Sequence, residues 1–217
     1  MKCFIVMFNR LTWPKKMAEF LSDTGCEVIL VDNASTYPPL LEWYDTDCPY
    51  KVYRLQENYG HLVLWGSGIL NEYPDQYYAV TDPDLDLSDV PSDYIDFLMK
   101  GLTNQEVVKT GLSLRVDDLP VNGFTEEIVK KERQYWECVQ DGNGFYYAGI
   151  DTTFAIYDRE RMASGKFYWS LRAPKPYTAR HLPWYLTPQV LSFEEIYYMT
   201  KATDVSSYIR IFWDKSK

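Results

Sequence analysis

The chain has 217 residues, enough to bury a sizeable core, and shows no internal repeat, low-complexity tract or domain linker. With 46% hydrophobic and 17% aromatic residues it is not a disordered chain, and a formal net charge of -9 argues against a broad nucleic-acid-binding face. Tyr is in excess at 19 residues, alongside 7 Trp, which suits core and rim packing and also suits stacking against sugars and bases.

Residues 3–8 predict a first, fully buried strand. The opening Met1-Lys2-Cys3-Phe4-Ile5-Val6-Met7-Phe8 holds one Lys and a short apolar run. That is too short for a signal-peptide core or a membrane span, so the expected place is the cytoplasm. Thr12-Trp13-Pro14 opens a helix to about Ser22, with Pro near the first turn where its missing N–H costs nothing, and Gly25 stops it. Glu27–Asp32 predicts a second buried strand, Pro38 to about Tyr44 a short helix, and Tyr50–Leu55 a third strand. His61–Leu70 is expected to be a helix and Tyr77–Thr81 a fourth strand. Strands alternating with helices at this spacing predict an α/β fold around a mostly parallel sheet.

The second half is less regular. Pro91–Leu102 predicts a helix capped by Ser88 or Ser92. Val107–Val116 predicts a strand interrupted at Gly111, Thr125–Cys138 a charged helix, and Thr152–Tyr157 an apolar strand. Residues 164–190, rich in Gly, Pro, Arg, Trp and Tyr, are expected to be a long functional loop. Ser192–Lys201 predicts a closing helix and Tyr208–Trp213 a last strand. Four scattered cysteines (Cys3, Cys26, Cys48 and Cys138) have no CxxC spacing, which favours buried thiols in a reducing compartment over a disulfide framework or a zinc site.

The most pointed motif follows the fourth strand. Tyr77-Tyr78-Ala79-Val80-Thr81 runs straight into Asp82-Pro83-Asp84-Leu85-Asp86. Side chains two apart on an extended segment point the same way, so Asp82 and Asp84 can converge on one cation. Carboxylates so close are costly unless something positive lies between them, and a hard divalent cation bridged to phosphates is the natural candidate. Asp-Pro-Asp is equally good turn chemistry. Four further segments fall at strand ends or turns: Phe8-Asn9-Arg10, Asp32-Asn33-Ala34-Ser35, Asn58-Tyr59-Gly60-His61 and Gly149-Ile150-Asp151. Each can contact a nucleotide or supply a base, and each can also be an ordinary cap, polar loop or turn. In Tyr177–Tyr185, one of the chain's two histidines, His181, stands beside Arg180. Imidazole can complete an oxygen-rich Mn²⁺ site and Arg can neutralise phosphate, or the pair can simply pack in an aromatic loop.

The order strand-Asn-Arg, strand-Asp-Asn-Ala-Ser, Asn-x-Gly and strand-Asp-x-Asp resembles that of nucleotide-sugar glycosyltransferases of the GT-A fold, closest to the inverting family 2 enzymes. The likeness covers about the first 90 residues with good order and spacing, and the later Gly-Ile-Asp-Thr-Thr-Phe and Arg-His-Leu-Pro-Trp-Tyr segments more loosely. It implies one GT-A domain over 1–217, Rossmann-like, with a nucleotide-binding half at 1–90 and an acceptor-side half at 91–217. It implies transfer of a hexose or deoxyhexose from a UDP-sugar to a hydroxyl of a glycan or glycoprotein acceptor, dependent on Mn²⁺ or Mg²⁺. The shortness of the chain suits a virus-encoded member working in the host cytoplasm.

In that likeness Phe8, Asn9 and Arg10 border the uracil pocket, Asp32 and Asn33 contact base or ribose, and Asn58 lines the nucleoside side. Asp82 contacts ribose or metal, Asp84 ligates the metal, and His181 adds a further ligand. Arg172 and Arg180 take the diphosphate, while Trp169, Tyr177, Trp184 and Tyr185 form the acceptor groove under a loop that closes over donor. Family 2 enzymes usually take their base from a Glu-Asp pair, which this chain lacks. Asp151 takes the role by chain order, with Asp117 and Asp118 as the fallback, and the departure leaves the stereochemistry open. Two rival readings stay open, a sugar nucleotidyltransferase and a non-catalytic carbohydrate-binding domain.

Overall fold

The computed structural model describes residues 1–202 apart from 122, 123 and 152. The strands are β1 (Lys2–Met7), β2 (Glu27–Asp32), β3 (Lys51–Arg54), β4 (Tyr77–Thr81), β5 (Leu85–Asp86), β6 (Lys109–Gly111), β7 (Ser113–Leu114), β8 (Tyr146–Tyr147), β9 (Ala155–Asp158), β10 (Ser170–Arg172) and β11 (Thr178–His181). The helices are α1 (Thr12–Asp23), α2 (Pro38–Thr46), α3 (Val63–Gly66), α4 (Tyr94–Gly101), α5 (Thr125–Trp136), α6 (Arg159–Met162) and α7 (Phe193–Lys201). Among the described residues one eight-stranded sheet runs β3-β2-β1-β4-β9-β6-β10-β8. β3, β2, β1 and β4 are mutually parallel, β9 runs against both β4 and β6, and β8 runs against β10. A smaller sheet, β5-β11-β7, lies beyond the carboxyl end of β4. The α/β expectation with a mostly parallel sheet holds.

The apolar runs of β1 and β2 are continuous because both faces of the sheet are covered. Cys3, Ile5 and Met7 face a core built with α1, α2 and α4, where Met17, Leu21, Leu40, Trp43 and Leu98 pack. Phe4 and Val6 face the other core, against Val63, Leu64, Ile69 and Tyr73. The first four strands and α1 fall where the residues place them, and Gly25 leaves α1 at φ +85°.

Several expectations change. His61–Leu70 is not one helix but a 3₁₀ turn at Gly60–Leu62, the single turn of α3, and a second 3₁₀ turn at Ile69–Glu72, parted by Gly68 in the left-handed region. α4 begins at Tyr94 behind Asp93, with no side-chain cap from either serine. The Val107–Val116 run splits at Leu112, β6 joining the main sheet and β7 the small one. Gly111 ends β6 in tight contact with β9: a Cβ there would lie 2.5 Å from the Phe154 carbonyl oxygen and 2.8 Å from the Ala155 Cβ. Only glycine lets β9 come this close.

Residues 164–190 are not a structureless loop. They supply β10 to the main sheet and β11 to the middle of the small one. These strands are too short to show a period of two, and Ser170, Leu171 and Arg172 are all buried. β5, β8 and α6, of two, two and four residues, are too short to leave a periodic signal in the sequence. All four cysteines are unpaired thiols. The expected Tyr208–Trp213 strand lies outside the described residues. No described helix is long and apolar enough to cross a membrane.

Candidate active site

The carboxyl ends of β1, β2 and β4 open on one edge of the sheet, where an open α/β sheet takes ligands. A cavity of about 560 Å³ lies there, lined by Phe8, Asn9, Ala34, Thr36, Asn58, Gly60 and Lys201. Phe8 and Asn9 leave β1, Ala34 and Thr36 follow β2, Asn58 and Gly60 follow β3, and Lys201 ends α7. Three of the expected nucleotide-binding residues, Phe8, Asn9 and Asn58, are thus brought together although up to fifty residues separate them.

The wall is braced by side-chain hydrogen bonds. Asn9 sits at φ +50°, a region asparagine tolerates. Its side-chain oxygen accepts from the Thr36 and Tyr37 amides at 2.6 and 2.9 Å, and its own amide donates to Ser35 Oγ at 2.8 Å. Asn33 ties β2 to the next turn, donating to the Gly60 carbonyl at 2.7 Å and accepting from the Tyr59 amide at 2.8 Å. Asn58 Oδ1 accepts from the Gly60 amide at 2.7 Å, and Gly60 turns at φ +71°. Ala34, at φ +61°, holds a conformation alanine rarely adopts, strain of the kind stored at functional sites. Asp32 and Asn33 stand behind this lining. The Asp32 carboxylate accepts from the Ser35 amide and the Tyr44 hydroxyl, and burial pushes its pKa up.

Arg10 departs from its expected place. It is 1% exposed and does not line the cavity. Its guanidinium donates to Asp84 Oδ2 at 2.9 Å and forks onto Glu195 of α7, at 3.0 and 2.8 Å, with the Tyr198 ring 3.5 Å away. Burial opposes its charge, yet Asp84 and Glu195 raise its pKa above the ordinary arginine value. Burial likewise raises the Glu195 pKa against the pull of Arg10.

α7 therefore roofs the site, a contribution missed in the sequence. Glu194 accepts from the Thr12 amide and hydroxyl, and the Tyr197 hydroxyl donates to the Thr36 carbonyl at 2.9 Å. The signal was the Ser192-x-x-Glu195 spacing. Ser192 does cap α7, accepting from the Glu195 amide at 3.2 Å, but the Glu195 side chain is spent on Arg10.

Asp84 and His181, paired above only by the family resemblance, lie side by side. β5 pairs with β11 so that His181 lies opposite Leu85, and the Leu182 amide donates to the Asp84 carbonyl at 2.9 Å. His181 Nε2 stands 3.6 Å from Asp84 Oδ1. Asp84 Oδ1 and His181 Nδ1 are both buried without a hydrogen-bond partner. Burial, with Arg10 and Lys131 adding to it, lowers the His181 pKa and favours the neutral ring a metal needs, although Asp84 pulls the other way. A buried carboxylate oxygen without a hydrogen-bond partner, close to an imidazole nitrogen, fits a divalent cation such as Mn²⁺. Asp82 is half-buried at the end of β4. Among the described residues no group of three or more His, Cys, Asp and Glu is gathered for a metal ion.

Both candidate phosphate arginines are engaged elsewhere. Arg172 is buried, paired with Glu132 of α5 at 3.0 Å and bonded to the Gly149 carbonyl at 2.9 Å. Arg180 is held by Asp89 and Asp118, at 2.6 and 2.7 Å. Asp117 and Asp118, the fallback bases, belong to the same ion-pair network with Arg115, Lys175 and Arg180, and their pKa values are lowered. Asp151 is exposed.

The expected aromatic groove does not form as one surface. Trp184 is buried with its ring edge-on to His181 at 4.9 Å, Tyr177 stacks on Phe97 at 3.8 Å, and the Tyr185 hydroxyl donates to Asp118. Trp169, 53% exposed, joins Tyr168, 66% exposed, and Tyr147 around a separate cleft of about 310 Å³ that Gly149 and Ser170 also line.

No protein-family model matches the chain, and no curated protein matches it. Solved structures do. The chain is similar to the crystal structure of S. aureus TarS 1-349 in complex with UDP-GlcNAc, with a TM-score of 0.53 and 14% identity over 97% of this chain and 64% of that one. It is similar to a crystal structure of S. aureus TarS with a TM-score of 0.52 and 13% identity, over 82% of this chain and 36% of that one. The chain thus spans from about a third to just under two thirds of the length of these structures. Identity this low speaks to architecture alone, and the shared fold is GT-A-like.

Proposed function

We propose that the chain is a glycosyltransferase that takes a UDP-sugar in the cavity at the ends of β1, β2 and β3 and passes the sugar to a hydroxyl of a glycan or glycoprotein acceptor. The observation that carries this is the cavity itself. Residues from three consecutive strand ends and from α7 enclose about 560 Å³ at the carboxyl edge of a sheet whose fold is shared with a protein solved with UDP-GlcNAc.

In this reading Phe8 and Asn58 flank the base, with Asn9, Asn33 and Asp32 holding the walls behind it. Thr36 and Asp82 serve the ribose, and Lys201 brings positive charge to the cavity rim. Asp84 and His181 would hold Mn²⁺ or Mg²⁺. That cation, when bound, offsets the charge that builds on a departing diphosphate. Arg10 keeps Asp84 in place by holding its second oxygen. The carboxylate of Asp151 takes the proton of the acceptor hydroxyl. The acceptor oxygen then attacks the anomeric carbon as the bond to the diphosphate breaks, and UDP leaves with the electron pair, inverting that carbon.

The test is UDP release from a panel of UDP-hexoses with Mn²⁺ present. The wild-type chain is expected to release UDP from one of them, and Asp84→Ala to lose at least about 10²-fold in rate with its circular dichroism unchanged. A fully active Asp84→Ala would remove the metal assignment. Release of pyrophosphate in place of UDP would replace the reading with nucleotidyl transfer.

A further inference from the structure

β6 opens on a lysine, and all three of its residues are buried. Lys109 is 0% exposed. Its ammonium lies 3.4 Å from the centroid of the Phe167 ring and 5.1 Å from that of Tyr157, and donates to the Asp151 carbonyl oxygen at 3.1 Å. A buried ammonium is costly to desolvate, and a methionine would fill the same space without that cost. Its chemistry is therefore what calls for explanation.

The hydrogen bond belongs to a set. Arg172 Nε donates to the Gly149 carbonyl at 2.9 Å. Ser170 Oγ donates to the Ala148 carbonyl at 2.8 Å and accepts from the Ile150 amide at 2.9 Å. Side chains of β6 and β10 thus grip Ala148, Gly149, Ile150 and Asp151 one after another. These are the residues that join the aromatic cleft, at Gly149, to the exposed Asp151 carboxyl group.

We propose that Lys109 is a positioning residue for Asp151, its ammonium fixing the main chain from which the proton-accepting carboxylate projects. This rests on the reading of Asp151 as the base of sugar transfer. The charged and titratable groups that face the amine are Asp151, Arg172, Asp82, Tyr157 and Tyr168. Burial lowers the Lys109 pKa to about 7, with Asp151 and Asp82 opposing and Arg172 adding to the fall. The sign follows. Below that pH the group is an ammonium and grips the loop through a charge-assisted bond. Above it the amine is neutral, and its bond to the carbonyl is a weaker one.

Two readouts test this. In the transfer assay, Lys109→Met is expected to cut kcat by about 10²-fold with the KM for the UDP-sugar unchanged, the loss expected when a reacting group is displaced by about an ångström. Wild-type kcat is expected to fall as pH rises through about 7. Lys109→Arg, charged throughout, is expected to keep more activity than Lys109→Met and to lack that fall. The second readout needs no substrate. Amide hydrogen exchange at Ile150, whose N–H is held by Ser170 Oγ, is expected to quicken in Lys109→Met and to stay slow in Asp151→Asn. Unchanged kcat, pH profile and exchange in Lys109→Met would overturn the proposal while leaving sugar transfer intact. Wild-type activity in Asp151→Asn would overturn the base assignment and the proposal with it, whatever the exchange showed.

Discussion

Arg10 shows how a residue's type can be read in the sequence and its partners cannot. Its position after β1 marked it for the site, but the carboxylates that hold it lie 74 and 185 residues away. A fully buried guanidinium between two buried acids stands or falls with its partners, because an acid left alone inside the protein has neither water nor counter-charge. Arg10→Met is expected to destabilise the chain by about 3–5 kcal/mol in urea denaturation, with part of that restored when Glu195→Gln is added. A loss under about 1 kcal/mol would mean that water reaches Asp84 and Glu195 once Arg10 is gone. Asp84 was legible for a different reason: its signal is local, an apolar strand followed at once by acids. Its meeting with His181 rested on resemblance, since the pairing of β5 with β11 that joins them involves strands of two and four residues. Lys109 was visible as a charge inside an apolar run, but its burial against Phe167 and Tyr157 depends on contacts remote in the chain.

β1, β2, β4 and α1 were legible because long buried strands and amphipathic helices carry their period in their own residues, whereas the short turns of 60–72 do not. The closing helix was legible too, through Ser192 and the acids that follow it. Its task was not, because every contact that makes α7 a roof reaches back to loops near β1 and β2. That docking gives the Ser192 cap a consequence beyond the helix. Ser192→Ala is expected to cost about 1 kcal/mol of stability. It is also expected to weaken UDP binding several-fold, since Lys201 and Tyr197 sit on the same helix. Lost stability with unchanged UDP affinity would show that α7 braces Arg10 without shaping the cavity. The short strands of the second half failed for the opposite reason. β10 and β11 hold three and four residues, and they exist because neighbours on the sheet complete them.

At the scale of the molecule, the two halves of the chain build one edge. β1, β2 and β3 deliver the cavity walls, β4 delivers the acids, and the second half returns His181 through β11 and Glu195 through α7. The fold class follows from alternating strands and helices. The groove of aromatics did not follow, because composition counts rings and cannot say that Trp184 packs on His181 while Trp169 faces outward. Sugar transfer at this edge requires a nucleoside diphosphate in the cavity beside Phe8, Thr36 and Asn58. Isothermal titration of UDP into the chain, in Mn²⁺ buffer, asks this directly. One UDP is expected to bind per chain, and Thr36→Trp, which fills the cavity from its wall, is expected to abolish the heat without lowering the melting temperature. An absence of UDP binding by the wild-type chain, or equal binding by Thr36→Trp, would contradict it.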